Sequence, residues 1–224
     1  QFVAGEYVSL DGEDYYRIAC VDQIPPFFMS LVSSADHWLF IASTGGLTAG
    51  RVNADNALFP YETEDKIVAH GEQTGGKTLL RVTQAERVFL WEPFSSSYAG
   101  LYRCERNLYK NVYGNKLVFE EINHDLQLML RVVWRTGDRF GFVRTCSLYN
   151  LSEYDRQVEI LDGLQNILPA GATQALQTNM SNLLNAYKRN ELESDSGLGI
   201  FALSATLSDR AEPSESLKAT VVWQ

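Results

Sequence analysis

Any chemistry in this chain would have to come from its acids, its three histidines or its three cysteines. The carboxylates include Glu62, Glu64, Asp65, Glu120, Glu121, Asp125, Asp155, Glu159 and Asp162. A glycosidase needs two such groups at a controlled separation across a sugar. Spacing pairs none of them. Glu120 and Glu121 are neighbours on an expected strand, so they point to opposite faces and cannot flank one bond. A solvated face is the expected home of nearly all these acids. His37, His70 and His124 could act as general bases or ligands, but no HxH, HExxH or Ser/His/Asp context accompanies them. Cys20, Cys104 and Cys146 are far apart and lack zinc-type spacing. They read as buried, reduced thiols acting as small hydrophobes, which fits a reducing, cytoplasmic compartment. No metal or cofactor is implied.

Ser43-Thr-Gly-Gly-Leu-Thr-Ala-Gly-Arg51 is Gly-rich and follows a strand, as phosphate loops do. It lacks the Gly-Lys-Ser/Thr ending and leads into β structure, so it reads as a strand bend with close backbone approach. Aromatic residues are plentiful, with 11 Tyr, 11 Phe and 4 Trp. Trp38, Trp134 and Trp223 fall within strands and are expected in the core. Phe59, Tyr61 and Tyr98 fall in loops and are expected to meet a ligand or another domain.

These groups must be positioned by β structure. From Leu117 to Leu164 apolar and polar residues alternate in segments separated by Asn123-His124-Asp125, Thr136-Gly137-Asp138 and Asn150–Glu153. Period-2 alternation with short turns predicts a large antiparallel meander. Strands are also expected at Tyr15–Asp22, Phe27–Val32, His37–Ser43, Lys66–His70, Lys77–Thr83, Arg87–Trp91 and Leu101–Lys110, the last entering a hairpin turn at Asn111–Asn115. Further strands follow at Tyr187–Leu192, Gly199–Leu207 and Leu217–Trp223. Thr173–Ala186 lacks Gly and Pro and spaces its apolar residues as a short helix or irregular cover segment would. The reading is one all-β unit over residues 1–224, mainly antiparallel, with its strands split into two stacked sheets. Ser216–Gln224 reads as a core strand at which the sequence ends, so a longer polypeptide is expected.

The formal net charge is −9 and the sequence pI about 4.9. With no compensating basic cluster, nucleic acid and anionic membrane surfaces are poor partners. No apolar run is long enough to span a bilayer as a helix.

The order HWLFIASTGGLTAGR, then ALFPYETEDKI, then FGFVRTCSLYNLSEYDRQVEILDGL, then YKRNELESDSGLGIFALSATLSDR resembles the N-terminal domain of cellobiose-phosphorylase-like glycoside hydrolases and phosphorylases. The resemblance implies a β-supersandwich of the galactose-mutarotase-like type, placed ahead of an (α/α)6 catalytic barrel. In that family the barrel carries the catalytic acid, and the sandwich contributes loops to the rim of the site or to a subunit interface. No catalytic residue is therefore expected in this chain. The expected partners are an oligosaccharide, the downstream catalytic domain and, through a subunit interface, a second copy in a homodimer. The segment Arg51–Lys66 is expected nearest the sugar or the barrel, with Arg51, Phe59, Tyr61 and Asp65 as the residues to test. The rival readings are a free-standing carbohydrate-binding module, a mutarotase-like epimerase with a convergent His and Glu, and a purely structural domain whose aromatic loops bury against a partner.

Overall fold

Alternation of side chains along the strands decides which faces meet. The computed structural model describes residues 2–84, 86–139, 141–205 and 218–224. In chain order its elements are β1 (Ala4–Leu10), β2 (Glu13–Ala19), β3 (Phe28–Leu31), β4 (His37–Ala42), β5 (Leu47–Arg51), α1 (Glu64–Ala69), β6 (Gly75–Gln84), β7 (Arg87–Trp91), β8 (Cys104–Asn111), β9 (Lys116–Asn123), β10 (Leu128–Thr136), β11 (Phe142–Asn150), β12 (Gln157–Gln165), α2 (Gln174–Asn179), α3 (Ser181–Tyr187), β13 (Lys188–Glu193), β14 (Leu198–Leu203) and β15 (Ala219–Val222). The protein is all-β, with every strand pairing among the described residues antiparallel.

The principal sheet has six strands in the order β1-β2-β8-β9-β10-β11. Leu108, Phe119 and Val132 lie in register across its centre, with Leu117 and Trp134 beside them. Those side chains share one core with Leu39, Ile41, Leu47 and Ala49 of β4 and β5 and with Leu80, Val82 and Trp91 of β6 and β7. Two three-stranded sheets, β3-β4-β5 and β12-β6-β7, thus cover one face of the large sheet, giving a sandwich-like arrangement. A further sheet, β13-β14-β15, packs with α3. Leu184, Ala172 and Leu203 meet Ala57, Leu168 and Trp38 there. The expected cover segment at 173–186 is therefore a pair of short helices.

Three expectations change. The run Lys66–His70 looks β-branched enough for a strand, yet Glu64–Ala69 is helix. The two acids of its first turn suit a helix N-terminus, and Ile67 is its one buried residue. The meander stops at β11: β12 pairs with β6 instead, because the Asn150–Tyr154 turn, tied by Asn150 to Ser152 and to the Tyr154 carbonyl, carries the chain to the other layer. Trp223 is about half exposed and does not enter the core. The strands expected near 199–207 and 217–223 are present as β14 and β15, while Leu207 and Leu217 lie outside the described residues. β1, exposed along most of its length, had no counterpart among the expected strands.

The Gly-rich string serves backbone packing. Gly45 turns β4 into β5 with φ +92, and a Cβ on Gly46 would sit 2.0 Å from the Ile67 carbonyl oxygen. The β4–β5 turn therefore lies directly on the α1 backbone. On the outer side of β12-β6-β7, Leu79, Val88, Leu90 and Leu161 are exposed. Among the described residues no helix is long and apolar enough to cross a membrane. Replacing Gly46→Ala should cost about 1–3 kcal/mol, because the obstacle is main chain that cannot rotate away. Urea unfolding of the two proteins side by side checks this, and an unchanged midpoint would show that the turn has room to shift.

Candidate functional site

Where the two covering sheets part, a cleft of about 230 Å³ opens onto the face of the large sheet. Its floor is Phe119, Val132 and Trp134. Its walls are the β4–β5 turn at Thr44 and Gly45, the start of β6 at Gly76–Thr78, the turn Glu92–Ser95 after β7, and Arg106 and Arg144 from β8 and β11. Three acids, Asp22, Glu72 and Glu92, share this lining with three bases, Lys77, Arg106 and Arg144.

Each base has a carboxylate partner. The Lys77 ammonium donates to Glu72 Oε2 at 2.9 Å and meets Glu92 Oε1. Burial opposes the charge on Lys77, but the bonds to these two carboxylates outweigh it and raise its pKa, so it stays an ammonium. Burial likewise pushes the Glu72 carboxyl up, yet its bonds from Lys77 and from the Ser96 amide bring it below the usual glutamate value. Arg144 grips Asp162 in a two-point contact at 2.6 and 2.8 Å, with Thr78 bonded to both. Asp162 is held below the usual aspartate value because those bonds outweigh its burial.

Arg106 is fixed by Glu121, the most consequential acid near the cleft. Glu121 is almost wholly buried. It accepts from Arg106 Nε at 2.7 Å, from Trp91 Nε1 at 2.8 Å and from the Phe94 amide at 2.7 Å. Arg106 Nη2 in turn donates to the Ser95 carbonyl at 2.8 Å. One carboxylate thereby fastens β8, β9, the end of β7 and the turn that walls the cleft, where Phe94 takes φ 65. Its neighbour Glu120 faces the opposite side of the sheet, also buried. It accepts there from Arg131, Tyr109 and Asn107. The opposite facing of this pair agrees with the sequence reading, but the solvated face does not. Alternation gave the direction of both side chains; what was missing was the knowledge that Arg106 and Arg131 would lie directly across from them.

The structure scatters the residues singled out in the sequence. Arg51, at the exposed end of β5, makes a two-point contact with Asp36. Tyr61 is 42% exposed and stands edge-on to Trp38, with ring centroids 5.6 Å apart. Asp65 sits in the first turn of α1, where a hydrogen bond from Thr63 lowers its carboxyl pKa. Phe59 is 4% exposed and belongs to the core, contrary to its expected place on a surface. Chain distance hid this: the loop folds back on β5, with Leu58 and Phe59 amides bonded to the Ala49 carbonyl. None of the four lines the cleft. Tyr98, the third loop aromatic, is partly buried beside a smaller hollow next to it.

The histidines and cysteines stay out of the cleft lining too. His70 Nδ1 lies 2.7 Å from Glu62. The three cysteines are free, Cys20 buried and the others half-buried, and burial, with the nearby Glu121 charge, pushes the Cys104 thiol up to about 12. A thiol so placed is a poor nucleophile. Among the described residues, no three or more of His, Cys, Asp or Glu gather as a metal would need. No protein-family model matches the chain, and no curated protein matches it.

Two expectations follow. Glu121→Gln should destabilise by about 3 kcal/mol, since it leaves the Arg106 charge inside without a counter-charge. In a double-variant cycle with Arg106→Met the two losses should be strongly non-additive in urea unfolding, and simple additivity would argue against a coupled pair. The second concerns His37, buried on β4 with neither ring nitrogen hydrogen-bonded among the described residues. Burial first and then the Arg51 charge lower its pKa, against a smaller opposing pull from Asp36. The fold thus keeps the neutral ring, so its contribution is complete above about pH 6.5 and is lost as pH falls below that value. Compared with His37→Leu, the wild-type chain should lose up to about 1.4 kcal/mol more per pH unit in that acid range; parallel slopes would refute it.

Proposed function

We propose that this chain is the non-catalytic sandwich domain of a carbohydrate-active enzyme, a glycoside hydrolase or phosphorylase, that stands beside an (α/α)6 catalytic domain and contributes a sugar contact. The observation that carries this reading is the interlayer cleft. An aromatic and aliphatic floor of Phe119, Val132 and Trp134 suits the C–H face of a sugar ring, and the ring of polar groups around it suits hydroxyls. The sequence segments that resemble cellobiose-phosphorylase-like proteins support the same class, and the sandwich-like antiparallel architecture is compatible with it.

The cleft is not equipped to break a glycosidic bond. That step needs a carboxylic acid kept protonated near neutrality, with a second carboxylate across the bond. Here the Glu72 carboxyl is pulled below the usual glutamate value by its bonds, the reverse of what a general acid needs, and it shares the Lys77 ammonium with Glu92. The lining holds no histidine, so a mutarotase-like pairing of His with Glu gains no support there. Sugar recognition with catalysis supplied by another domain fits these groups better than a self-sufficient enzyme does.

Titration of the chain with mono- and disaccharides, followed by calorimetry and by NMR shifts of Trp134 and Thr78, tests the reading. Millimolar binding that moves these signals is expected, together with no turnover of aryl glycosides. Glycoside cleavage by the chain alone, or no sugar binding at all, would overturn it.

A further inference from the structure

We infer that the interlayer cleft accepts a single neutral polyhydroxylated ring and discriminates against its phosphorylated and carboxylated counterparts. This rests on the sugar-binding reading above and adds the charge and size of the ligand.

The charge argument starts from the partners of the cleft cations. Lys77 is held by Glu72 and Glu92, Arg106 by Glu121, and Arg144 by Asp162. Anion sites depend on donors whose charge is available to the ligand, such as a guanidinium fork turned toward the phosphate or an ammonium free to swing to it. In this cleft the fork of Arg144 already grips Asp162, and Arg106 is engaged by Glu121 and the Ser95 carbonyl. An incoming anion would also meet Glu72 and Glu92 in the same lining, at a repulsion several times thermal energy for close approach near a protein surface. Desolvating a charged ligand here would gain no compensating free cation.

A neutral ring meets complementary groups. Among the polar atoms of the lining, Glu92 Oε1 is held by the Lys77 ammonium, while the buried Arg144 Nε has no hydrogen-bond partner among the described residues. That N–H is a donor, and a neutral sugar hydroxyl can accept from it without bringing charge. Beside it lie the Thr78 hydroxyl, engaged by Asp162 and Arg144, and Trp134 in the floor, apolar surface that suits ring carbons. The volume, about 230 Å³, lies under the roughly 300–1,000 Å³ of sites that enclose larger ligands. One ring therefore fits inside, and any continuation of a chain must leave through the open side.

The test compares glucose, galactose, mannose and xylose with glucuronate, glucose 6-phosphate and inorganic phosphate, all at one ionic strength, on the 224-residue chain. At least one neutral sugar should bind and shift the Trp134 and Thr78 signals, with its charged counterpart about tenfold weaker or more. Inorganic phosphate should leave those signals in place. Glu72→Gln removes one negative charge from the lining and should narrow the gap to about threefold or less, with a melting curve confirming that the variant is folded. Tighter binding of glucose 6-phosphate or glucuronate than of any neutral sugar overturns the charge argument and leaves sugar recognition standing. A gap unmoved by Glu72→Gln also overturns it. Failure of every sugar, neutral and charged, removes the sugar-binding reading itself.

Discussion

Two neighbouring carboxylates in the middle of β9 hold opposite faces of the large sheet, each against the arginine directly across the ladder: Glu121 opposite Arg106 on β8, Glu120 opposite Arg131 on β10. Apolar side chains tolerate sliding against one another, but these pairs do not. A shift of one residue between the strands would turn each acid away from its base and leave charges inside the protein without partners. The apolar faces make the layers stick; the two ion pairs set which residue of β8 and β10 faces which residue of β9.

The same constraint reaches beyond the sheet. Glu121 also accepts from Trp91 and Phe94, which belong to the covering layer and its turn, so a side chain of one layer fixes the position of the other. The same turn forms one wall of the cleft, with Phe94 edge-on to Phe119 of its floor at 6.2 Å between ring centroids. Register, layer spacing and the wall of the cleft are thus linked through one carboxylate. Burial first, and then that charge, raise the pKa of the neighbouring Cys104 thiol.

How much of this could be read from residues alone differs by level. Period-2 alternation identifies β8 to β11 and the hairpin at Asn111–Asn115, because one face of each strand is buried and the turns are short. It also identifies the cover segment, whose apolar spacing changes at 173. It does not reveal that β12 leaves the meander, since the Asn150–Tyr154 turn looks like any hairpin until β6 is seen to supply the partner. The short helix α1 is hidden by the β-branched stretch Lys66–His70. The site was the least legible part: its groups come from β6, β8, β11 and two turns, separated by dozens of residues, and only the packing of layers brings them together. Loop position suggested Phe59 as a contact residue, and the return of that loop onto β5 buries it instead. The Gly-rich string, read as a place of close backbone approach, is found doing that against α1.

One detail of the connectivity has a wider consequence. Because β12 leaves β11 for β6, both strands end their sheets, and across the gap the Arg144–Asp162 clasp joins them. Strand edges with unused amides and carbonyls invite pairing with other chains. The clasp between these two rims is titratable: acid strong enough to neutralise Asp162 would remove the charge that holds Arg144 and loosen the one ion pair described between the two edge strands.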